Sequence, residues 1–110
     1  KFLPLEALED VFSRAKMLIR EPKFIECIKD KEIYKEQPFK VKNELKQMDL
    51  FCFNEREICV IDYKTTDKNI EENKKQVKEY KDALSKFYEK HSIIAVIFYA
   101  LEGKISYIEV

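Results

Sequence analysis

Apolar residues along the chain follow two rhythms. Leu5, Leu8, Val11, Phe12, Ala15, Leu18 and Ile19 recur at steps of three and four, which predicts a helix over residues 5–20 with Pro4 in its first turn. Pro22 should end that helix, and a short second one is expected over 23–29 with Phe24, Ile25 and Ile28 as its apolar side. The rhythm then shortens. Ile33, Tyr34, Phe39 and Val41 stand among charges and predict a strand over 32–42, with Pro38 placing it at an edge or a bulge. Strands follow over 46–53 and 57–64. The run Ile58, Cys59, Val60, Ile61 is apolar on both faces and should lie in the centre of a sheet.

Helical spacing returns with Ile70, Val77, Tyr80, Leu84, Phe87 and Tyr88, predicting a helix over 70–89; Asn69 and Glu72 have capping-box spacing at its start. Residues 92–100 form a second buried strand, Glu102 and Gly103 a turn, and 104–110 a last alternating strand. The long helical connection from the third strand to the fourth predicts that those two are parallel, joined right-handedly. The expected fold is α/β, a mixed central sheet flanked by helices in the order α-β-β-β-α-β-β. Residues 1–110 should be one domain, with a helical lead-in over 1–30 and a core over 31–110.

The two strands of the hairpin around Glu55 and Arg56 carry the sharpest chemical clue. If the turn is centred there, opposed residues have numbers that sum to 111. Phe51 then faces Val60, Phe53 faces Ile58, and Asp49 faces Asp62. Cys52 and Cys59 also pair, on the side opposite the acids, as reduced, small, buried hydrophobes. Opposed side chains stand about 4.5–5.5 Å apart at Cβ, so two carboxylates there repel. A hard divalent cation with oxygen ligands would neutralise them. Lys64 projects from the same face as Asp62, two residues on. Two acids and an ammonium provide what phosphodiester hydrolysis needs: a metal, an activated water and charge stabilisation. Glu36 joins this face if the preceding turn centres on Asn43 and Glu44, which would set it opposite Phe51 and near Asp49. Alone, Asp-x-Lys at a strand end is commonly a solvated pair; the opposed Asp49 gives it weight. A turn displaced by one residue would put the two Asp on opposite faces.

Composition narrows the field. The 21 basic and 21 acidic side chains cancel, so any DNA-binding surface must be a local patch. Apolar runs fall short of a membrane span, and no signal-peptide pattern is present. The three cysteines lack metal-motif spacing and are odd in number, which suits a reducing, cytoplasmic compartment. The chain opens on Lys1, so a longer parent protein is expected.

Four segments resemble the nuclease domain of RecB-like (AddA-type) helicase–nucleases, of the PD-(D/E)xK class. Lys35-Glu36-Gln37-Pro38-Phe39 is similar to their E-x-P-F strand and Met48-Asp49-Leu50 to their I-D-L segment. Ile61-Asp62-Tyr63-Lys64-Thr65 matches D-Y-K-T, and Gln76 to Tyr80 matches Q-x-x-x-Y. The resemblance spans about residues 30 to 110. It implies a restriction-endonuclease-like fold and Mg²⁺- or Mn²⁺-dependent DNA cleavage in double-strand break repair and recombination. Asp49, Asp62 and the Tyr63 carbonyl would hold the metal. Lys64 would be the catalytic lysine and Glu36 an accessory acid. Gln76 and Tyr80 would border the DNA; Tyr80 also lies in the apolar stripe and reads equally as core. The implied partners are DNA, an ATP-driven helicase domain upstream in the same chain and an AddB-type subunit.

Two departures from the family stand out. Gln47 replaces the usual Gly, and no histidine precedes the strands, since His91, the single histidine, reads as a surface residue. The family's metal-site histidine would then lie upstream. The iron–sulfur cysteines of some relatives are absent. Two other readings are a non-catalytic DNA-binding or docking module with this fold, and a free-standing RecB-like nuclease.

Overall fold

The computed structural model of the chain describes residues 18–41 and 44–110. Five strands form one sheet in the order β1-β2-β3-β4-β5: β1 Glu32–Val41, β2 Glu44–Phe53, β3 Glu57–Lys64, β4 Ser92–Leu101 and β5 Lys104–Glu109. The pairs β1–β2, β2–β3 and β4–β5 are antiparallel, and β3–β4 is parallel. Helix α1, Pro22–Ile28, covers one face, and the crossover helix α2, Ile70–Phe87, covers the other. The chain is thus α/β, a mixed sheet between helices.

Pattern and packing agree most closely in the middle of the sheet. Ile58 to Ile61 and Ala95 to Phe98 are fully buried because helices cover both faces of β3 and β4. On the α1 side, Leu18, Phe24, Cys27 and Ile28 pack on Ile33, Leu50, Cys52, Cys59, Ile61, Val96 and Phe98. On the α2 side, Val77, Tyr80 and Leu84 pack on Phe51, Ile58, Val60, Ala95, Ile97 and Tyr99. Burying one large apolar side chain in such a cluster contributes about 1.5–3 kcal/mol. Pro38 sits in the edge strand β1, where its missing N–H costs no ladder bond on the solvent side.

Several expectations change in detail. Of the helix read over 5–20, residues 5–17 lie outside the described residues, and Leu18–Arg20 form one 3-10 turn. Pro22 opens α1 rather than merely ending what precedes it, because its fixed φ suits N1 and the Glu21 side chain caps the Lys23 N–H at 2.8 Å. Cys27 is buried in α1 where Ile25 was expected, and Ile25 is exposed. Asn69 is the N-cap residue of α2, yet its side chain makes no capping bond; Glu71 and Glu72 meet the positive end of the helix instead. His91 is half-buried, with Nε2 3.1 Å from the Asn54 carbonyl oxygen and its ring edge-on to Tyr88, so it ties the start of β4 to the β2–β3 turn.

Candidate active site

The β2–β3 hairpin has the register that the turn at Glu55 and Arg56 predicts. Phe53 pairs with Ile58, Cys52 with Cys59, Phe51 with Val60 and Leu50 with Ile61. The turn is closed by Asn54, whose N–H donates to the Glu57 carbonyl at 3.0 Å and whose Oδ1 accepts from the N–H groups of Arg56 and Glu57. The cysteines lie on the α1 side, free and buried, and Cys27 packs with them. The Cys27 thiol is drawn below its usual value by its hydrogen bond with Cys59. That bond, and then burial, push Cys59 up; burial pushes Cys52 up to about 12. Cys27 was not expected there, because a helical cysteine in a seven-residue helix carries no pairing signal.

Regular pairing stops at Leu50 and Ile61, one step before the two acids. In an antiparallel ladder, hydrogen-bonded rungs alternate. With Asn54–Glu57 as one such rung, the next fall at Cys52–Cys59 and Leu50–Ile61, and the following one would be Met48–Tyr63. Instead the Tyr63 N–H donates to Asp49 Oδ2 at 2.7 Å. Asp49 therefore reaches across the sheet plane and takes a bond that backbone would otherwise fill. Side-chain alternation breaks at the same point: Leu50 packs on the α1 side, while Met48, two residues away, is fully buried on the α2 side. The neighbouring strand is irregular at this level too. The β1–β2 ladder pairs Lys35 with Leu50 and Gln37 with Met48 but skips Glu36 and Asp49, and Glu36 has φ 51°.

Asp62 ends up 5% exposed, the one buried charged residue among those described. Its Oδ2 accepts no hydrogen bond; Lys64 Nζ lies 3.3 Å away, an ion pair without hydrogen-bond alignment. Burial first, and then the charge of Asp49, push the Asp62 carboxyl up to about 6, against the opposing pull of Lys64. The Lys64 side chain stays 30% exposed, so its ammonium is open to solvent at the strand end. Tyr80 is buried in the α2 cluster and still feels the two acids: burial, then Asp62 and Asp49, push its hydroxyl up to about 12. Tyr80 is thus a core residue that also lies near the acid pair. Gln76, one helical turn earlier, is half-buried.

Glu36 is placed differently from expectation. The β1–β2 register ends on the pair Val41 and Glu44, so Tyr34, not Glu36, faces Phe51, and Glu36 stands level with Asp49. Its side chain is 59% exposed and 3.5 Å from Lys35 Nζ, because a left-handed residue leaves the regular alternation of the strand. The charges acting most strongly on Asp62 are Asp49 and Lys64.

Among the described residues no three His, Cys, Asp or Glu side chains gather as a metal set. The candidate set is Asp49 and Asp62, the two carboxylates that act on each other. It suits Mg²⁺, which keeps several waters and is often held by one or two carboxylates. The Asp62 oxygen without a hydrogen bond, beside a second carboxylate, fits a hard cation. No known protein family matches the chain, and no curated protein matches it. Among the described residues no helix is long and apolar enough to cross a membrane.

Proposed function

We propose that this chain is the nuclease core of a RecB-like helicase–nuclease of AddA type, with a restriction-endonuclease-like fold, hydrolysing DNA phosphodiester bonds with Mg²⁺ or Mn²⁺. One observation carries the reading. A buried aspartate at the end of a central strand is set beside a second aspartate, and a partly exposed lysine stands 3.3 Å from it. Burying like charges costs stability that packing does not require. Sites that bind cations and turn over phosphate esters have a use for it.

Position supports the roles of Asp49, Asp62 and Lys64, and the resemblance supplies those of the Tyr63 carbonyl, Gln76 and Tyr80. Asp62 and Asp49 would hold the cation, with the Tyr63 carbonyl as a third oxygen. The Tyr63 N–H fixes Asp49 in place, which pre-organises one ligand before any cation arrives. When bound, the metal supplies polarisation of a phosphoryl oxygen and a more acidic water. Lys64, held by Asp62 on one side and open to solvent on the other, meets the scissile phosphate. There its ammonium orients the attacking water and offsets negative charge that grows on the phosphoryl oxygens. Tyr80 and Gln76 form the wall contributed by α2. DNA is the substrate, fed by a helicase domain and an AddB-type subunit in a cytoplasmic complex. The partners rest on the resemblance alone, and the compartment on the cysteines, which are free and buried.

The test is cleavage of linear DNA by the 110-residue chain with and without millimolar Mg²⁺ or Mn²⁺, alongside thermal unfolding. Metal-dependent cleavage lost in Lys64→Ala supports the reading. Metal-independent melting together with no cleavage overturns it in favour of a non-catalytic module.

A further inference from the structure

Helix α2 begins without a side-chain cap, immediately after an exposed loop over 65–69. An uncapped first turn frays unless something else holds it. Besides the packing of Ile70 on the core, one holding contact is polar and points at the sheet: Asn73 Nδ2 donates to the Tyr99 hydroxyl oxygen at 3.2 Å. Tyr99 is buried in β4 and is the direct partner of Lys64 in the parallel β3–β4 ladder, as Ile97 is of Asp62. Tyr99 and Ile97 both pack on the α2 side, so Lys64 and Tyr99 stand side by side on the face that carries the site, about 4.8 Å apart along the sheet.

We infer that Tyr99 and Asn73 are a positioning pair for Lys64. The Tyr99 ring neighbours the lysine stem across the β3–β4 ladder, on the same face. The hydrogen bond pins the first turns of α2, and with them Gln76 and Tyr80 at one and two turns' distance, over the strand ends. Lys64 is thereby confined between Tyr99 and Asp62, with its ammonium turned to the acid pair. Neither residue touches the reacting atoms, and the pair acts through the lysine. The inference rests on the proposed nuclease reading, because it assigns the lysine the chemistry that positioning would serve.

The experiment uses Tyr99→Phe, which keeps the ring and removes the hydroxyl, and Asn73→Ala, in the 110-residue chain. Two readouts are taken. The first is the kcat and KM of metal-dependent DNA cleavage. The second is the rate at which acetic anhydride acetylates Lys64 relative to the other lysines, followed by mass spectrometry without metal or DNA. Each variant should lower kcat about 3- to 10-fold with KM unchanged, the range one net hydrogen bond spans. The double variant should be no worse than either single one, since both remove the same bond. Lys64 should be acetylated faster in both variants. Wild-type kcat with an unchanged Lys64 labelling rate overturns the inference. So does a loss shared by kcat, KM and melting temperature without selective labelling, which marks a purely structural bond. If the unaltered chain neither cleaves DNA nor melts higher with metal, the nuclease reading fails by itself, and the labelling rate still decides whether the pair confines Lys64.

Discussion

The hairpin of β2 and β3 is two structures in one. From Phe53 and Ile58 to Leu50 and Ile61 every residue meets its partner, apolar side chains alternate between two covered faces, and the cysteines sit opposite each other. One step further, at Asp49 and Asp62, the ladder stops, alternation breaks at Met48, and β1 turns left-handed at Glu36. The strand directions and the turn are common to both ends. Only the side chains differ. Where they are apolar, burial and backbone bonding favour the same register. Where two carboxylates would be opposed, repulsion and desolvation compete with the ladder. Asp49 relieves part of the conflict by accepting the Tyr63 N–H, while Asp62 stays buried and its carboxyl titrates high. An arrangement that departs from the regular end at a cost is where a ligand should act.

The largest effect that could break this contrast is on chemistry. Lys64→Ala should lower DNA cleavage at least about 10²-fold, the scale of other electrostatic catalytic groups, while leaving melting temperature and metal affinity close to wild type. Near-normal cleavage would remove the irregular end from catalysis.

Asp49→Ala should come next. It strands the Tyr63 N–H and should destabilise the chain by about 1–3 kcal/mol, whereas Asp49→Asn keeps an acceptor oxygen and should lose much less. Denaturant unfolding of both variants checks this. Equal losses would mean that the bond to Tyr63 does not hold the strand end together.

Asp62→Asn should move stability the other way. The ordinary carboxyl value is 3.8 and the folded one about 6, so between them the folded state holds more protons than the unfolded chain. The group's contribution therefore falls as pH rises through that window, and its charged form is a burden above it. Without metal, Asp62→Asn should gain roughly 1–2 kcal/mol near pH 8 and nothing near pH 4, because the amide stays neutral where burial and Asp49 penalise the carboxylate. Its melting temperature should no longer respond to millimolar Mg²⁺. A variant that loses stability at both pH values contradicts the account of the acid pair.

The smallest effect concerns Glu36. Glycine accepts φ 51° without penalty, so Glu36→Gly should raise stability by up to about 1 kcal/mol. Cleavage should stay within a few-fold of wild type, because the side chain is exposed and paired with Lys35. A loss comparable to that of Lys64→Ala would restore Glu36 as an accessory acid.

Much of the framework was legible because it is local. A two-residue turn and the period of two set the β2–β3 register, and the cysteines and Phe51 landed on their expected faces. The apolar runs in β3 and β4 announced strands covered on both sides, and the long helical crossover made them parallel. That Asp49 and Lys64 come close enough to act on Asp62 was also readable, but the direct opposition of Asp49 and Asp62 was not met, because regular pairing ends at Leu50 and Ile61. The β1–β2 register was misjudged by one step, so Glu36 does not face Phe51, though it is near Asp49 as expected; charges crowd the sequence there, and no Gly or Pro marks a centre. Only the assembled sheet decided that Asp49 lies in the sheet plane on the Tyr63 N–H, that Met48 crosses to the α2 side, that Cys27 meets Cys59, and that His91 clasps Asn54. Each of these settles a competition between groups far apart in sequence for one hydrogen bond or one buried volume, and a periodic pattern holds no record of who wins it.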